Sequence, residues 1–141
     1  MAKHQRTFTL EILTPDGPVL STTAVSLVAP AVDGQIGILG GHSPLLAMIG
    51  AGRLTLEDEN GQGREFFVSG GFMDVRESAV SVLPEQCLDL PKIVPQEAQA
   101  ELDKAQQMPK DTPESRTRRQ DAITVAQAKV RVGQQKRINH E

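Results

Sequence analysis

The sequence predicts a mainly β domain over residues 1–90, an antiparallel sandwich or flattened barrel, followed by an antiparallel two-helix hairpin over residues 91–141. Three observations carry this. Apolar and polar residues alternate in short runs from Thr7 to Leu90, which is the period of half-buried strands. Turn signals separate those runs at regular intervals. At Pro91 the composition shifts to Ala, Glu, Gln and Lys, all good helix formers.

Taken in order, "TFTLEIL" places Phe8, Leu10 and Ile12 on one face and Thr7, Thr9 and Glu11 on the other. The same period of two recurs in "AVSLV" (Val25, Leu27), "RLTLE" (Leu54, Leu56) and "AVSVL" (Val80, Val82). Between the runs stand "PDGP" at 15–18, "VDG" at 32–34, "ENGQG" at 59–63 and "SGG" at 69–71. Asn-Gly flanked by alternating runs is a strong hairpin signal. The count comes to about eight to ten short strands, the pattern of a sandwich or barrel.

"QEAQAELDKAQQ" (96–107) reads as a first helix, with Pro95 in its opening turn. "MPKDTP" (108–113) interrupts it, and Thr112 and Pro113 cap and open a second helix running to residue 137. The expected inner residues are Ala98, Leu102, Ala105, Ala122, Ile123, Ala126 and Val130. Alanine removes little area from water at about 25 cal/mol per Å², so this seam is weak. Gly133 weakens the second helix further. A hairpin of marginal stability, able to leave its docking site, is the expectation.

Charge is divided. Residues 1–90 carry −6 and residues 91–141 carry +3, for a total of −3. Two modules with different neighbours fit this division, as does simple attraction between them. No apolar run approaches the roughly 20 residues of a membrane helix, and the start "MAKHQRTFTLEIL" does not read as a signal peptide. Cys87 is the lone cysteine, in keeping with a reducing compartment.

Several chemistries are disfavoured. Trp and Tyr are absent and Phe numbers four, so no stacking platform for nucleic acid is expected. No lysine occurs between Lys3 and Lys92, which removes a Schiff-base or P-loop lysine from the first module. The stretch "DGQIGILGGHSPLLAMIGAG" (33–52) holds six glycines, yet it matches neither a P-loop nor a dinucleotide fingerprint. Glycines in a β context more often mark turns and bulges. His42 lies within the β module, while His4 and His140 lie near the ends, and His42 with Cys87 and scattered acids makes no zinc set. Ser43 beside His42 is not a triad signal, and nothing places Asp33 and Asp74 together as a carboxylate pair. No catalytic and no metal-ligating residues are expected. Arg116, Arg118 and Arg119 form a basic cluster, followed by Lys129, Arg131, Lys136 and Arg137. Such a cluster reads either as a solvated helix face or as a surface for an acidic protein.

"DGQIGILGGHSPLL" (33–46), then "VSGGF" (68–72), then "VSVL" (80–83), then an alanine-rich hairpin, resembles the epsilon subunit of the F-type ATP synthase, in order and spacing, across essentially the whole chain. The matching motif positions are Asp33, Gly34, Gly37, Gly41, Pro44, Leu45, Ser69, Gly70 and Gly71. Gly40 departs from the pattern, which usually has proline there. The resemblance implies a ten-stranded sandwich and two helices. It implies a non-catalytic rotor subunit between gamma and the c ring, peripheral to the cytoplasmic face of a bacterial plasma membrane. It implies that 33–52 is a tight loop at the membrane-facing end, anchored by Ile36, Ile38, Leu45 and Leu46, with Gln35 and His42 facing the c ring. It implies that the hairpin inhibits ATP hydrolysis, with Arg116, Arg118, Arg119 and Lys129 meeting acidic segments of the alpha and beta subunits. Some members bind ATP through an Asp-x-x-Arg pair in the first helix. Here "IVPQEAQAEL" (93–102) has Gln96 and Gln99 instead, so no cofactor is expected. The alternatives are a free-standing β-sandwich interaction module with a helical tail, and a phosphate-handling enzyme that the missing lysines disfavour.

Overall fold

A computed structural model describes residues 6–139, with side chains to residue 134. The chain divides into two compact units, Met1–Cys87 and Leu88–Glu141. Nine strands occur among the described residues: β1 (Phe8–Thr14), β2 (Gly17–Ala31), β3 (Gly34–Leu39), β4 (Leu45–Met48), β5 (Gly52–Asp58), β6 (Gly63–Ser69), β7 (Phe72–Val75), β8 (Ala79–Leu83) and β9 (Gln86–Asp89). They run in the order β4-β7-β8-β1-β2-β5-β6-β9, with β3 also paired to β2.

The 15-residue β2 organises the domain. Its first half pairs with β1, from Gly17 opposite Thr14 to Ala24 opposite Phe8. Its second half pairs with β3 and β5. The register shifts between Ala24 and Ser26, the place where an added residue bends a strand. One strand thus serves two layers, β4-β7-β8-β1-β2 and β3-β2-β5-β6-β9. Counting β2 in both layers reconciles the expected ten strands with the nine observed. Leu10, Ile12, Met73, Val75, Val80 and Val82 from one layer join Leu27, Ile38, Leu54, Leu56, Phe66 and Val68 from the other in a single buried cluster. That is the interior of a sandwich.

One of the described pairings is parallel. β1 and β8 run parallel, Thr9 opposite Ala79 through Ile12 opposite Val82. A parallel pair needs a long crossover rather than a tight turn, so local turn signals do not report it.

In the second unit a single 3-10 turn (Leu90–Lys92) leads into α1 (Pro95–Gln106) and α2 (Pro113–Asn139). α2 begins with a reciprocal cap: Ser115 N–H donates to Thr112 Oγ1 at 3.0 Å and Thr112 N–H to Ser115 Oγ at 2.9 Å. Thr112→Ala is expected to destabilise α2 by about 1 kcal/mol, read as reduced helicity by circular dichroism on heating. Ala98, Ala105, Ile123 and Ala126 are buried as the helical period predicts. Leu102, Ala122 and Val130 are only half-buried, and Ala128, Lys129, Val132 and Gly133 are buried in addition. The apolar period alone misses these four, because they include a lysine and a glycine. At Gly133 a Cβ would stand 3.2 Å from Ile93 Cγ2, so the missing side chain lets α2 approach the start of its own unit.

Candidate interaction surfaces on the sandwich and the hairpin

The glycine-rich stretch is a turn, a strand and a second turn, not one tight loop. Val32 and Asp33 turn the chain from β2 into β3, and Gly34 enters β3 at a φ of +133°. Gln35 then lies opposite Pro30, and Gly37 opposite Val28. Gly40 and Gly41 make the second turn, closed by His42 N–H donating to Leu39 O at 3.1 Å. His42 Nδ1 lies 2.7 Å from the Ser43 carbonyl oxygen. Pro44 is exposed, and β4 starts at Leu45. Gln35 and His42 therefore flank opposite ends of β3. At about 3.3 Å per residue, Gln35 and Leu39 alone stand about 13 Å apart. The expectation that both side chains share one loop is corrected: the intervening residues pair with β2.

Gly40, the departure from the family pattern, has a steric reason. A Cβ there would meet the backbone of Arg6 at 2.6 Å. Proline carries that Cβ, so the path of the incoming chain excludes it.

The anchoring residues are also corrected in one case. Ile38 is buried, and Ile36 and Leu45 pack against the core. Leu46 is 69% exposed. Successive side chains alternate faces, so once Leu45 turns inward Leu46 points out. Met48 follows on the same outer face, directly opposite Phe72 of β7, and Phe72 lies opposite Leu83 of β8. Met48 and Phe72 are both exposed, as is Val32, whose N–H donates to Met48 O at 3.1 Å. Exposed apolar residues gathered in this way mark an interaction surface rather than a random surface. On the same face Asp74, opposite Leu46, is paired with Arg76 at 3.2 Å. Ser69 is buried and donates to Gln86 Oε1 at 3.4 Å, while Gly70 and Gly71 both adopt positive φ. No group of three or more His, Cys, Asp or Glu among the described residues is placed to hold a metal.

The basic residues of the hairpin differ from one another. Lys129 is 5% exposed, with Nζ 2.9 Å from Glu101 Oε1 across the two helices. Arg119 donates from Nε and Nη2 to Gln106 O, the last residue of α1, at 3.3 and 3.1 Å. Arg116 donates to Lys110 O at 3.4 Å. Arg118 is exposed. Lys129 thus faces α1 rather than solvent, because a helix period does not say which faces meet. His4, His140 and the side chains of Lys136 and Arg137 lie outside the described residues.

A family model for the β-sandwich domain of the ATP synthase delta/epsilon chain matches residues 7–89. The chain belongs to this family. The ATP synthase epsilon chain of Desulfatibacillum aliphaticivorans is 41% identical over 76 residues, about half of each chain (54%). That of Desulforamulus reducens is 39% identical over 110 residues, covering 76% of this chain and 78% of that one. A chain in the solved mitochondrial ATP synthase of Euglena gracilis superposes with a TM-score of 0.76 at 19% identity, covering 90% of this chain and 81% of that chain, which is a likeness of fold.

Proposed function

We infer that this chain is the epsilon-type subunit of the central stalk of an F-type ATP synthase, an accessory subunit rather than a catalytic one. The match of residues 7–89 to the family's sandwich domain carries this reading. The exposed apolar face of Leu46, Met48 and Phe72 is the surface for the gamma subunit. Its large unpaired side chains resemble the core of a protein interface. The c ring is met at the Asp33–Gln35 end of the sandwich, where exposed Val32 adjoins Met48. Torque then passes from ring to gamma through a domain held by one continuous core. No helix among the described residues is long and apolar enough to cross a membrane. Attachment to the cytoplasmic face of a bacterial plasma membrane through the complex accords with this.

The hairpin is the regulatory element, and it restrains ATP hydrolysis when it leaves its closed form and meets the alpha and beta subunits. It does so without bound ATP. Gln96 and Gln99 stand where a charged pair would hold the nucleotide, and Gln99 Nε2 is already hydrogen-bonded to Asp103 at 3.1 Å.

Cross-linking in the assembled enzyme tests the orientation. A photoreactive group at Gln35 is expected to capture a c subunit, and the same group at His42, at the other end of β3, is expected not to. Capture of c from His42 alone would reverse the sandwich.

A further inference from the structure

We propose that the hairpin carries a self-association face, on which a second copy of this chain packs so that each α1 lies antiparallel on the other copy's α2. The face is an open groove of about 650 Å³ between the two helices. On α1 it takes residues 101, 104, 105 and 108, one helix face at spacings of three and four. Its floor is apolar: Ala105 and Ala126 are buried, and Met108, Ala122 and Val125 are half-buried. The alanines leave room for a second pair of helices to approach closely, with Met108 and Val125 as the projecting side chains.

The rim indicates the occupant. Arg119 of α2 reaches Gln106 O, and Lys129 of α2 reaches Glu101, so the two helices run antiparallel. Lys104 and Asp121 lie between those two contacts, one on each helix, at opposite rims of the groove. Both are exposed, and neither makes an ion pair among the described residues. Glu101 also lines the groove, but it is paired with Lys129. One cation and one carboxylate at opposite rims are self-complementary. A twofold axis running along the groove sets Lys104 of each copy over Asp121 of the other, in two equivalent contacts. It also stacks each α1 antiparallel on an α2, the packing of an antiparallel four-helix bundle. A partner of a single sign would match one rim and be repelled by the other. The covered area is small, so the association is weak, and the charges set its register more than its strength. The groove exists only while α1 and α2 lie side by side, so pairing stabilises the hairpin of chains outside a complex.

Sedimentation equilibrium of the full chain at low salt tests this, over about 10 µM to 1 mM, the range in which small interfaces associate. Wild type is expected to form dimers as its concentration rises. Lys104→Glu and Asp121→Lys are each expected to weaken association about tenfold or more, because each places two like-charge contacts in the interface. Mixed in equal amounts, these two variants are expected to associate as wild type does, because both contacts of the mixed pair again join opposite charges. That recovery also shows that both variants fold. Met48→Asp, on the sandwich, is expected to leave association unchanged. A wild type that stays monomeric over the whole range would overturn the proposal. So would wild-type association in either charge variant alone, or a mixture that does not recover. Loss of dimers in Met48→Asp would place the contact on the sandwich and remove it from the hairpin.

Discussion

Gly71→Ala is expected to destabilise the sandwich by about 2–5 kcal/mol, lowering its melting temperature by about 8 °C or more. Gly71 has a φ of +83°, and an added Cβ would lie 2.9 Å from the Leu83 carbonyl carbon and from Pro84 Cα. Both obstacles are backbone. Leu83 is held in β8 opposite Phe72, so it cannot move without breaking the β7–β8 pairing. The left-handed conformation adds about 1–2 kcal/mol for a residue with a Cβ. Gly70 is the internal control. Its φ is +73°, but the Cβ there would meet the Glu85 side chain, with Cδ at 2.8 Å. Glu85 is exposed and able to swing aside, so Gly70→Ala should cost only the backbone term. Thermal unfolding of the two variants separates the causes. Equal losses would mean that the Leu83 contact does not matter.

Met48→Asp is expected to weaken binding to the gamma subunit about 100-fold or more while leaving the sandwich folded. Met48 is 65% exposed and faces Phe72 across the β4–β7 pair. In the free chain an aspartate there stays hydrated, and substitutions at such positions change stability by about 0.5 kcal/mol, with up to about 1 kcal/mol for poor strand propensity. In an apolar interface the same carboxylate must be desolvated without a partner, which costs several kcal/mol. Asn60→Asp, in the exposed turn before β6, adds the same charge elsewhere and should leave affinity unchanged. Titration calorimetry with isolated gamma, beside melting curves, reads both effects. Normal affinity in Met48→Asp would remove this face from the interface.

The surface that Met48 belongs to was only half legible in the sequence. Period-two alternation finds strands, and it did so for β1, β5 and β8. It does not say which phase of a short all-apolar run is inside. "LLAM" offers no polar residue to decide, and pairing with β7 decides it: Ala47 opposite buried Met73, Met48 opposite exposed Phe72. Lys129 illustrates the converse. Its charge marks it as a surface residue by type, and its cross-helix partner Glu101 is 28 residues away, so only packing turns it inward.

The local pattern by itself determined what each segment became. Alternation, turn residues and the proline-marked change at residue 91 act over a few residues, and the strands, the Thr112 cap and both helices follow from them. The motifs at 33–46, 68–72 and 80–83 carried the resemblance, and the family match spans them. Tertiary structure alone decided which segments meet. It made β2 serve both layers, paired β1 with β8 in parallel, set Gln35 and His42 at opposite ends of β3, and buried Lys129. The physical reason is range. Propensities and turn geometry are settled by neighbours in the chain, whereas burial and pairing depend on residues far away in sequence that only the folded chain brings together.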